Sequence, residues 1–400
     1  MHPHIQKLYS IANKSSRKII GLMSGTSVDG LDIALCNMSG SGTDTKIRVE
    51  YFETVSYDDD FRNEVKSVFS KKQVDFEKLC LLNPWVALQQ ANMINACLKK
   101  WNIRKEEIDL IASHGQTVYH APKILHEQKK FGNATLQIGD GDHLAVATGI
   151  ITISDFRQKH IAAGGEGAPL AVYGDYFVFS KKHENRIMLN MGGIANFTFL
   201  SGDLDAAKVF STDTGPGNTI MDVYIQKYFP GKYFDENATI AGKGVVHENL
   251  LNALKNNIFF QQPFPKTTGP ELFNLDYLKH AQQQSDSVNI SHEDCLATLN
   301  RFSADTIVDG IKKSFQGSEQ FAIYASGGGM HNPLLMQNIS QQLPGTSIKT
   351  TSDLEINPDS KEAVLFAILA NECVCGGGYS FNNAKAGIPS VTMGKISFPD

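Results

Sequence analysis

The stretch that decides the fold is Gly21-Leu-Met-Ser-Gly-Thr-Ser-Val-Asp-Gly-Leu-Asp32. Apolar residues flank its centre, so Lys18 to Met23 is predicted to form one strand and Leu31 to Met38 a second. The residues between them, Ser24 to Gly30, are mostly the Ser, Gly and Asp types that form turns. The chain is therefore expected to open with a strand, a glycine loop and a second strand.

The first half continues with alternating strand and helix patterns. These patterns predict strands at Ile47–Val55, Ile108–Ser113 and Gly149–Asp155, and helices at Phe61–Phe69 and Trp85–Lys100. A glycine-rich stretch, Gly164 to Gly167, follows them. Strands that alternate with helices indicate an α/β fold.

The second half begins in the same way as the first. Arg186 to Met191 and Phe197 to Leu200 are predicted strands on either side of a glycine loop. The later elements are a strand at Val209–Ser211, a loop at Asp213–Asn218 and a strand at Phe321–Ala325 that runs into Ser326–Gly329. This repeated order predicts two similar domains, residues 1–170 and 171–400, with a return of the last residues to the first domain left open.

The overall composition limits the kinds of function. The 400 residues carry 37 Lys and Arg against 42 Asp and Glu, a net charge of −5, so the chain lacks the basic field expected for binding nucleic acid or an anionic membrane. Six Cys are too few for a disulfide framework, and no apolar run reaches the ~18 residues needed to span a bilayer. These features predict a cytoplasmic protein that acts on small molecules.

The loop between the first two strands has the chemistry of a phosphate site. Glycines let backbone N–H groups approach phosphate oxygens, hydroxyls donate hydrogen bonds, and an aspartate can hold Mg²⁺ through water. The candidate residues are Gly25, Thr26, Ser27, Asp29, Gly30 and Asp32. The loop is neither a Walker loop nor a GxGxxG motif, and an ordinary hairpin built on Asp-Gly is the alternative.

Two further glycine clusters follow predicted strands. They contain Gly192, Gly193, Gly327, Gly328 and Gly329, and the second precedes Asn332-Pro333, where a helix is expected to begin. Each cluster alone is more often a tight turn. Because ligands of α/β sheets gather at the carboxyl ends of strands, the three glycine loops together predict a nucleotide site.

Polar residues are also predicted to follow strands of the first half. They are Ser113-His-Gly-Gln-Thr117, His120 and Asp155-Phe-Arg157, whose hydrogen-bonding groups suit a hydroxyl-rich ligand. A structural histidine and a local ion pair between Asp155 and Arg157 are the alternatives. In the second half, Asp213 precedes a Gly-Pro-Gly turn that would hold its carboxylate in place, as a general base requires. Its alternative role is to cap a helix that begins near Asn218.

The opening motif resembles that of the bacterial anhydro-N-acetylmuramic acid kinases, and the resemblance extends along nearly the whole chain. Seven further motifs stand in that family's order: Ser113–Thr117, Ser154–Arg157, Ala163–Leu170, Asn190–Asn196, Asp213–Asn218, Pro265-Lys-Thr-Thr-Gly269 and Ser326–Gly329. The resemblance implies the duplicated actin, Hsp70 and sugar-kinase fold, which is ribonuclease H-like in each half, with ATP in an interdomain cleft.

The resemblance also implies roles for individual residues. Asp213 would be the catalytic base, Asp29 would lie nearest to Mg²⁺, and the three glycine loops would bind ATP. The sugar side would be lined by His114, Gln116, Asp155, Arg157 and Glu362. The implied reaction adds water across the 1,6-anhydro bond while phosphorylating O6, giving N-acetylmuramic acid 6-phosphate during cell-wall recycling, and a homodimer is expected.

Three positions depart from the family pattern, namely His160, Glu166 and Pro270, where an acidic residue, a glutamine and an arginine are usual. The motifs of the ATP side are intact, so these departures concern the sugar side. The alternatives are therefore a kinase of an unsubstituted anhydrohexose such as levoglucosan and a nucleotide-dependent sugar sensor without turnover.

Overall fold

The structure is a computed structural model that describes residues 1–315, 320–377, 381 and 388–400. The chain forms two compact units, one made of Met1–Phe179 with Asp359–Asp400 and the other of Ser180–Pro358. Residues 171–179, assigned to the second domain by the sequence analysis, thus belong to the first unit, and so do residues 359–400, whose return to the first domain the sequence analysis left open. The reason is that the helix Lys361–Cys375 packs on the first sheet, and the helix Ala171–Phe179 packs against that helix.

Strands of the described residues form two sheets, one in each unit. The strands are β1 Ser16–Ser24, β2 Gly30–Ser39, β3 Lys46–Ser56, β4 Leu110–Ala121, β5 Ala134–Ile138, β6 Thr152–Ser154, β7 Asn185–Met191, β8 Ile194–Leu200, β9 Phe210–Pro216, β10 Phe321–Ser326, β11 Ser347–Thr350 and β12 Lys395–Ser397. The glycine hairpins predicted at the start of each half are confirmed as β1–β2 and β7–β8.

The α-helices of the described residues are α1 Pro3–Ala12, α2 Asp59–Lys66, α3 Phe76–Lys100, α4 Lys123–His126, α5 Gly141–Thr148, α6 Phe156–Ala162, α7 Ala171–Phe179, α8 Thr219–Tyr228, α9 Glu248–Lys255, α10 Leu275–Gln284, α11 His292–Ser314, α12 Pro333–Gln342 and α13 Lys361–Cys375. Both predicted helices are present. The longer one begins at Phe76 rather than near Trp85, because the carboxylate of Asp75 accepts the N–H of Lys78 and caps the helix there.

The two sheets share one topology. In the first, the order is β12-β6-β4-β1-β2-β3, with β5 paired to β4; in the second it is β11-β10-β7-β8-β9. In each, three successive antiparallel strands are joined to two parallel strands on the side of the opening strand. The predicted α/β class and its duplication are confirmed.

Strands β4 and β9 continue into polar stretches that the sequence analysis placed after a strand, because these stretches find pairing partners. Strand β4 continues to Ala121 by pairing with β5, so Ser113 to Thr117 lie within the strand and do not follow it. Strand β9 includes residues 213–216, predicted as loop, because they pair with β8.

A close helix contact positions the end of the first unit. A Cβ atom on Gly21 of β1 would lie only 1.9 Å from the carbonyl oxygen of Ala363, so the glycine lets α13 approach the strand. The first turn of α13, which carries Glu362, is thereby held beside the end of β1.

The sequence analysis also predicted that the chain has no disulfide framework and no membrane-spanning segment. All six cysteines are free thiols. In the part of the chain that the structure describes, no helix is both long and apolar enough to span a membrane.

Candidate active site

The first glycine loop is ordered by hydrogen bonds within itself. The hydroxyl of Ser27 donates to Asp29 Oδ1 at 2.9 Å, and the same oxygen accepts the N–H of Gly30 at 3.1 Å. The side chains of Thr26, Ser27 and Asp29 remain exposed. The loop therefore presents two hydroxyls and a carboxylate to solvent from a fixed backbone.

Asp32 lies on β2 next to this loop. Its carboxylate accepts the Thr54 hydroxyl at 2.6 Å. Burial raises the pKa of Asp32, and the nearby carboxylates of Asp29 and Asp359 raise it further. Negative charge is therefore concentrated on this side of the loop.

Gln116 supports the loop from below. Its Oε1 accepts the Ser24 hydroxyl at 2.5 Å, and its Nε2 donates to the carbonyl of Gly25 at 3.2 Å. The side chain is fully buried. The structure thus places Gln116 under the first glycine loop, a position that the sugar-side prediction did not foresee.

The buried His114 forms a pair with the partly buried Arg157. Arg157 Nε donates to His114 Nε2 at 2.9 Å, and Nη1 donates to the carbonyl of Gly167 at 2.6 Å. Burial, and then the guanidinium, hold the pKa of His114 well below its ordinary value. The imidazole is therefore neutral at pH 7 and accepts from the arginine.

Asp155 does not pair with Arg157, so the alternative of a local ion pair is wrong. Its carboxylate pairs with Lys395 of β12, the strand that lies beside β6. Asp155 also has a left-handed backbone, with φ of 55°. Its ion partner comes from the end of the chain, which the local sequence pattern could not show.

Glu362 adds a carboxylate to the surroundings of Arg157. Restricted hydration raises the pKa of Glu362, while the charge of Arg157 lowers it. The neighbouring Lys361 pairs with the buried Asp175 of α7 at 2.9 Å, which ties this turn of α13 to α7. The structure thus brings together His114, Arg157 and Glu362 of the predicted sugar side.

His160 is buried and orders the glycine-rich segment that follows α6. Its Nδ1 accepts the N–H of Gly167 at 3.0 Å, and burial lowers its pKa to about 4. The neutral ring therefore holds Gly167, whose carbonyl accepts the hydrogen bond from Arg157. The sequence analysis missed this connection between His160 and Arg157, and its one signal was the unusual histidine. The other two departures from the family pattern, Glu166 and Pro270, are exposed.

In the second unit, the Gly192-Gly193 hairpin receives the start of α8. The N–H of Gly217 donates to the carbonyl of Gly193 at 2.8 Å, and that of Asn218 to the carbonyl of Gly192 at 2.9 Å. A Cβ atom on Gly217 would lie 2.3 Å from the Gly192 oxygen. Close backbone contact, and not turn formation alone, requires glycine there.

The third glycine cluster packs on the same hairpin. Gly327 has φ of 81°, and a Cβ atom there would lie 2.7 Å from Asn190 Oδ1 and 2.8 Å from the Met191 carbonyl. The short turn Gly328–His331 then leads to α12, whose predicted start is confirmed because Asn332 caps it. Within this unit, the glycine clusters meet at the carboxyl ends of the parallel strands β7 and β10.

Asp213 lies within β9 and does not cap α8, so the alternative of a helix cap is wrong. Its Oδ2 accepts the N–H of Thr268 at 2.8 Å, a contact across 55 residues. Burial raises the pKa of Asp213 to about 6; the Thr268 N–H opposes this rise, and the charge of Glu271 adds to it. A carboxylate with a pKa near neutrality is suited to accept a proton.

The repeated sheet topology and the glycine hairpin that opens each sheet define the class: an α/β protein with one architecture duplicated in two units. A family model described as anhydro-N-acetylmuramic acid kinase matches residues 17–396. The chain belongs to the anhydro-N-acetylmuramic acid kinase family.

Curated relatives that bear this family's name match the chain along nearly its whole length. The protein named anhydro-N-acetylmuramic acid kinase of Pseudoalteromonas atlantica is 61% identical over 401 residues, covering 100% of both chains. That of Caldanaerobacter subterraneus subsp. tengcongensis is 36% identical, covering 98% of this chain and 100% of its own. Among solved structures, a hexokinase from Schistosoma mansoni complexed with glucose has a TM-score of 0.36 at 9% identity, covering 90% of this chain and 86% of its own.

Proposed function

We propose that the protein hydrolyses the 1,6-anhydro bond of 1,6-anhydro-N-acetylmuramic acid and phosphorylates O6 with ATP. The products are N-acetylmuramic acid 6-phosphate and ADP, and the reaction serves peptidoglycan recycling. Beyond membership of the family, the observation that carries this proposal is the Asp213 carboxylate, whose pKa of about 6 suits a general base.

The substrate explains why a base is needed. In the anhydro sugar, O6 is bonded to C1 and carries no proton, so it cannot act as an alcohol nucleophile. Water attacks C1 while Asp213 accepts its proton, the C1–O6 bond breaks, and the freed O6 attacks the γ-phosphoryl group. The bond between the γ-phosphorus and the oxygen of ADP breaks, and Asp213 then releases its proton to water.

The glycine loops are proposed to bind the nucleotide. The exposed hydroxyls of Thr26 and Ser27 and the backbone at Gly192 and Gly193 supply donors for phosphate oxygens. Asp29 fits Mg²⁺ through water, because its carboxylate is an exposed oxygen ligand beside those hydroxyls. When bound, Mg²⁺ would neutralise charge on the phosphates.

The sugar is proposed to contact Arg157 and Glu362, with His114 holding the guanidinium and Asp155 nearby. Gln116 acts through the first glycine loop, because its amide is already hydrogen-bonded to the Ser24 hydroxyl and the Gly25 carbonyl. A cytoplasmic location and a homodimer are part of the proposal.

A substrate comparison tests this function. ADP release is measured with Mg²⁺-ATP and either 1,6-anhydro-N-acetylmuramic acid or levoglucosan, in water enriched in oxygen-18. We expect kcat/KM to be higher for the muramyl sugar, since a site built for polar substituents penalises their absence, and the label to appear at C1 of the product. Equal or better turnover of levoglucosan would favour an anhydrohexose kinase, and absence of turnover would favour a sensor.

A further inference from the structure

Lys266 is a buried lysine that the reaction described above does not use. Only 9% of its surface is exposed. Its ammonium donates to the carbonyl of Phe259 at 2.8 Å and lies 4.2 Å from the ring centre of Phe259, 4.7 Å from that of Phe264 and 5.6 Å from that of Phe260. Aromatic faces attract a cation, so this cage anchors the side chain to the core of the second unit.

The backbone of the same residue is tied to β9. The N–H of Lys266 donates to the Thr212 hydroxyl at 3.0 Å, and its carbonyl accepts the N–H of Asp213 at 2.9 Å. Two residues later, the N–H of Thr268 reaches Asp213 Oδ2. The segment 265–269 therefore lies along β9 and directs one donor at the proposed base.

We propose that Lys266 is a positioning residue, which through its aromatic cage holds segment 265–269 so that the Thr268 N–H fixes the orientation of the Asp213 carboxylate. This inference rests on the proposed role of Asp213. A carboxylate held by one oxygen presents the other in a fixed direction, and small displacements of a reacting group cost large factors in rate.

The charges around Asp213 and Lys266 determine the expected pH effect. Among the residues that the structure describes, the charge of Glu271 acts on Asp213 and the charge of Lys313 acts on Lys266. A hydrogen bond to the charged form of an acid lowers its pKa. Loss of the Thr268 contact should therefore raise the pKa of Asp213 above about 6 and move the acidic limb of the kcat–pH profile to higher pH.

The test compares Lys266→Met, Lys266→Arg and Lys313→Met. Lys313 is an exposed lysine whose ammonium donates to the Phe260 carbonyl at 3.3 Å, so it controls for loss of a lysine beside the same rings. We expect Lys266→Met to lower kcat at least ~10-fold, with KM for ATP within about twofold, and to move the acidic limb upward. Lys266→Arg, which keeps a cation for the cage, should restore most of kcat, and Lys313→Met should match the wild type.

A second readout separates this inference from the reaction itself. Carbon-13 NMR titration of the Asp213 carboxyl, assigned by its absence in Asp213→Asn, reports the pKa without turnover and should show the same upward movement in Lys266→Met. If Lys266→Met does not fold, Phe264→Leu removes one face of the cage and should change the pKa in the same direction. An unchanged pKa, equal loss in Lys266→Arg, or the same loss in Lys313→Met would overturn the inference; failure of the wild type to use the anhydro sugar would overturn only the proposed function.

Discussion

Replacing Asp213 with asparagine should remove most of the turnover and leave the protein at least as stable at alkaline pH. Asparagine keeps an oxygen that can accept the Thr268 N–H, but it cannot accept a proton from water. A general base contributes on the order of 10²–10⁴ in rate, so kcat should fall by about that factor. Binding of ATP should be nearly unchanged.

The stability change follows from the pKa of Asp213. Its rise from an ordinary 3.8 to about 6 means that folding favours the protonated form. The charged form therefore costs up to about 3 kcal/mol above pH 6, less what partial exposure to water recovers. The charged Asp213 carboxylate does not destabilise the protein below about pH 4, and its destabilising effect grows as the pH rises to 6. Asp213→Asn should therefore be more stable to heat than the wild type at pH 8 and should lose this advantage toward pH 4.

The assay pairs ADP release with thermal unfolding at pH 8 and pH 5. Asp205→Asn is the control, because Asp205 caps a short turn, accepting the N–H of Ala207, and an asparagine can do the same. It should change neither activity nor stability. If Asp213→Asn keeps kcat while its melting temperature falls at pH 8, Asp213 is structural and the reasoning is refuted.

Two other substitutions test the site. Glu271→Gln removes a negative charge that raises the pKa of Asp213, so the acidic limb of the kcat–pH profile should move to lower pH. The movement should be only a few tenths of a unit, because Glu271 is exposed and water screens its charge. An unmoved limb would show that the charge of Glu271 does not act on Asp213. Gly327→Ala should raise KM for ATP at least ~10-fold, because its Cβ would collide with Asn190 and Met191. Gly345→Ala is the control, because Gly345 has a similar φ of 79° but open space around the added Cβ atom. This variant should lose only the ~1–2 kcal/mol of stability that a left-handed alanine costs and should keep the wild-type KM for ATP. Equal KM values for the two variants would contradict the prediction.

Sequence patterns were sufficient for the features that depend on neighbouring residues. The strand, glycine loop and strand at the start of each half, the α/β class and the start of α12 at Pro333 are encoded by apolar alternation, turn residues and a cap. The roles assigned to Asp213 and to the glycine loops stay predictions, now with a geometry against which they can be tested.

Other features depend on contacts between residues far apart in sequence. The Thr268 donor to Asp213, the Lys395 partner of Asp155 and the position of Gln116 under the first loop leave no periodic signal, because each joins segments that only folding brings together. The pKa of Asp213 is decided in the same way, since burial is a property of the packed chain and not of its local sequence. The sequence by itself determined which residue types stand at the ends of which strands, while the tertiary structure decided their partners, because hydrogen bonds and desolvation act over a few ångströms of space whatever the separation along the chain.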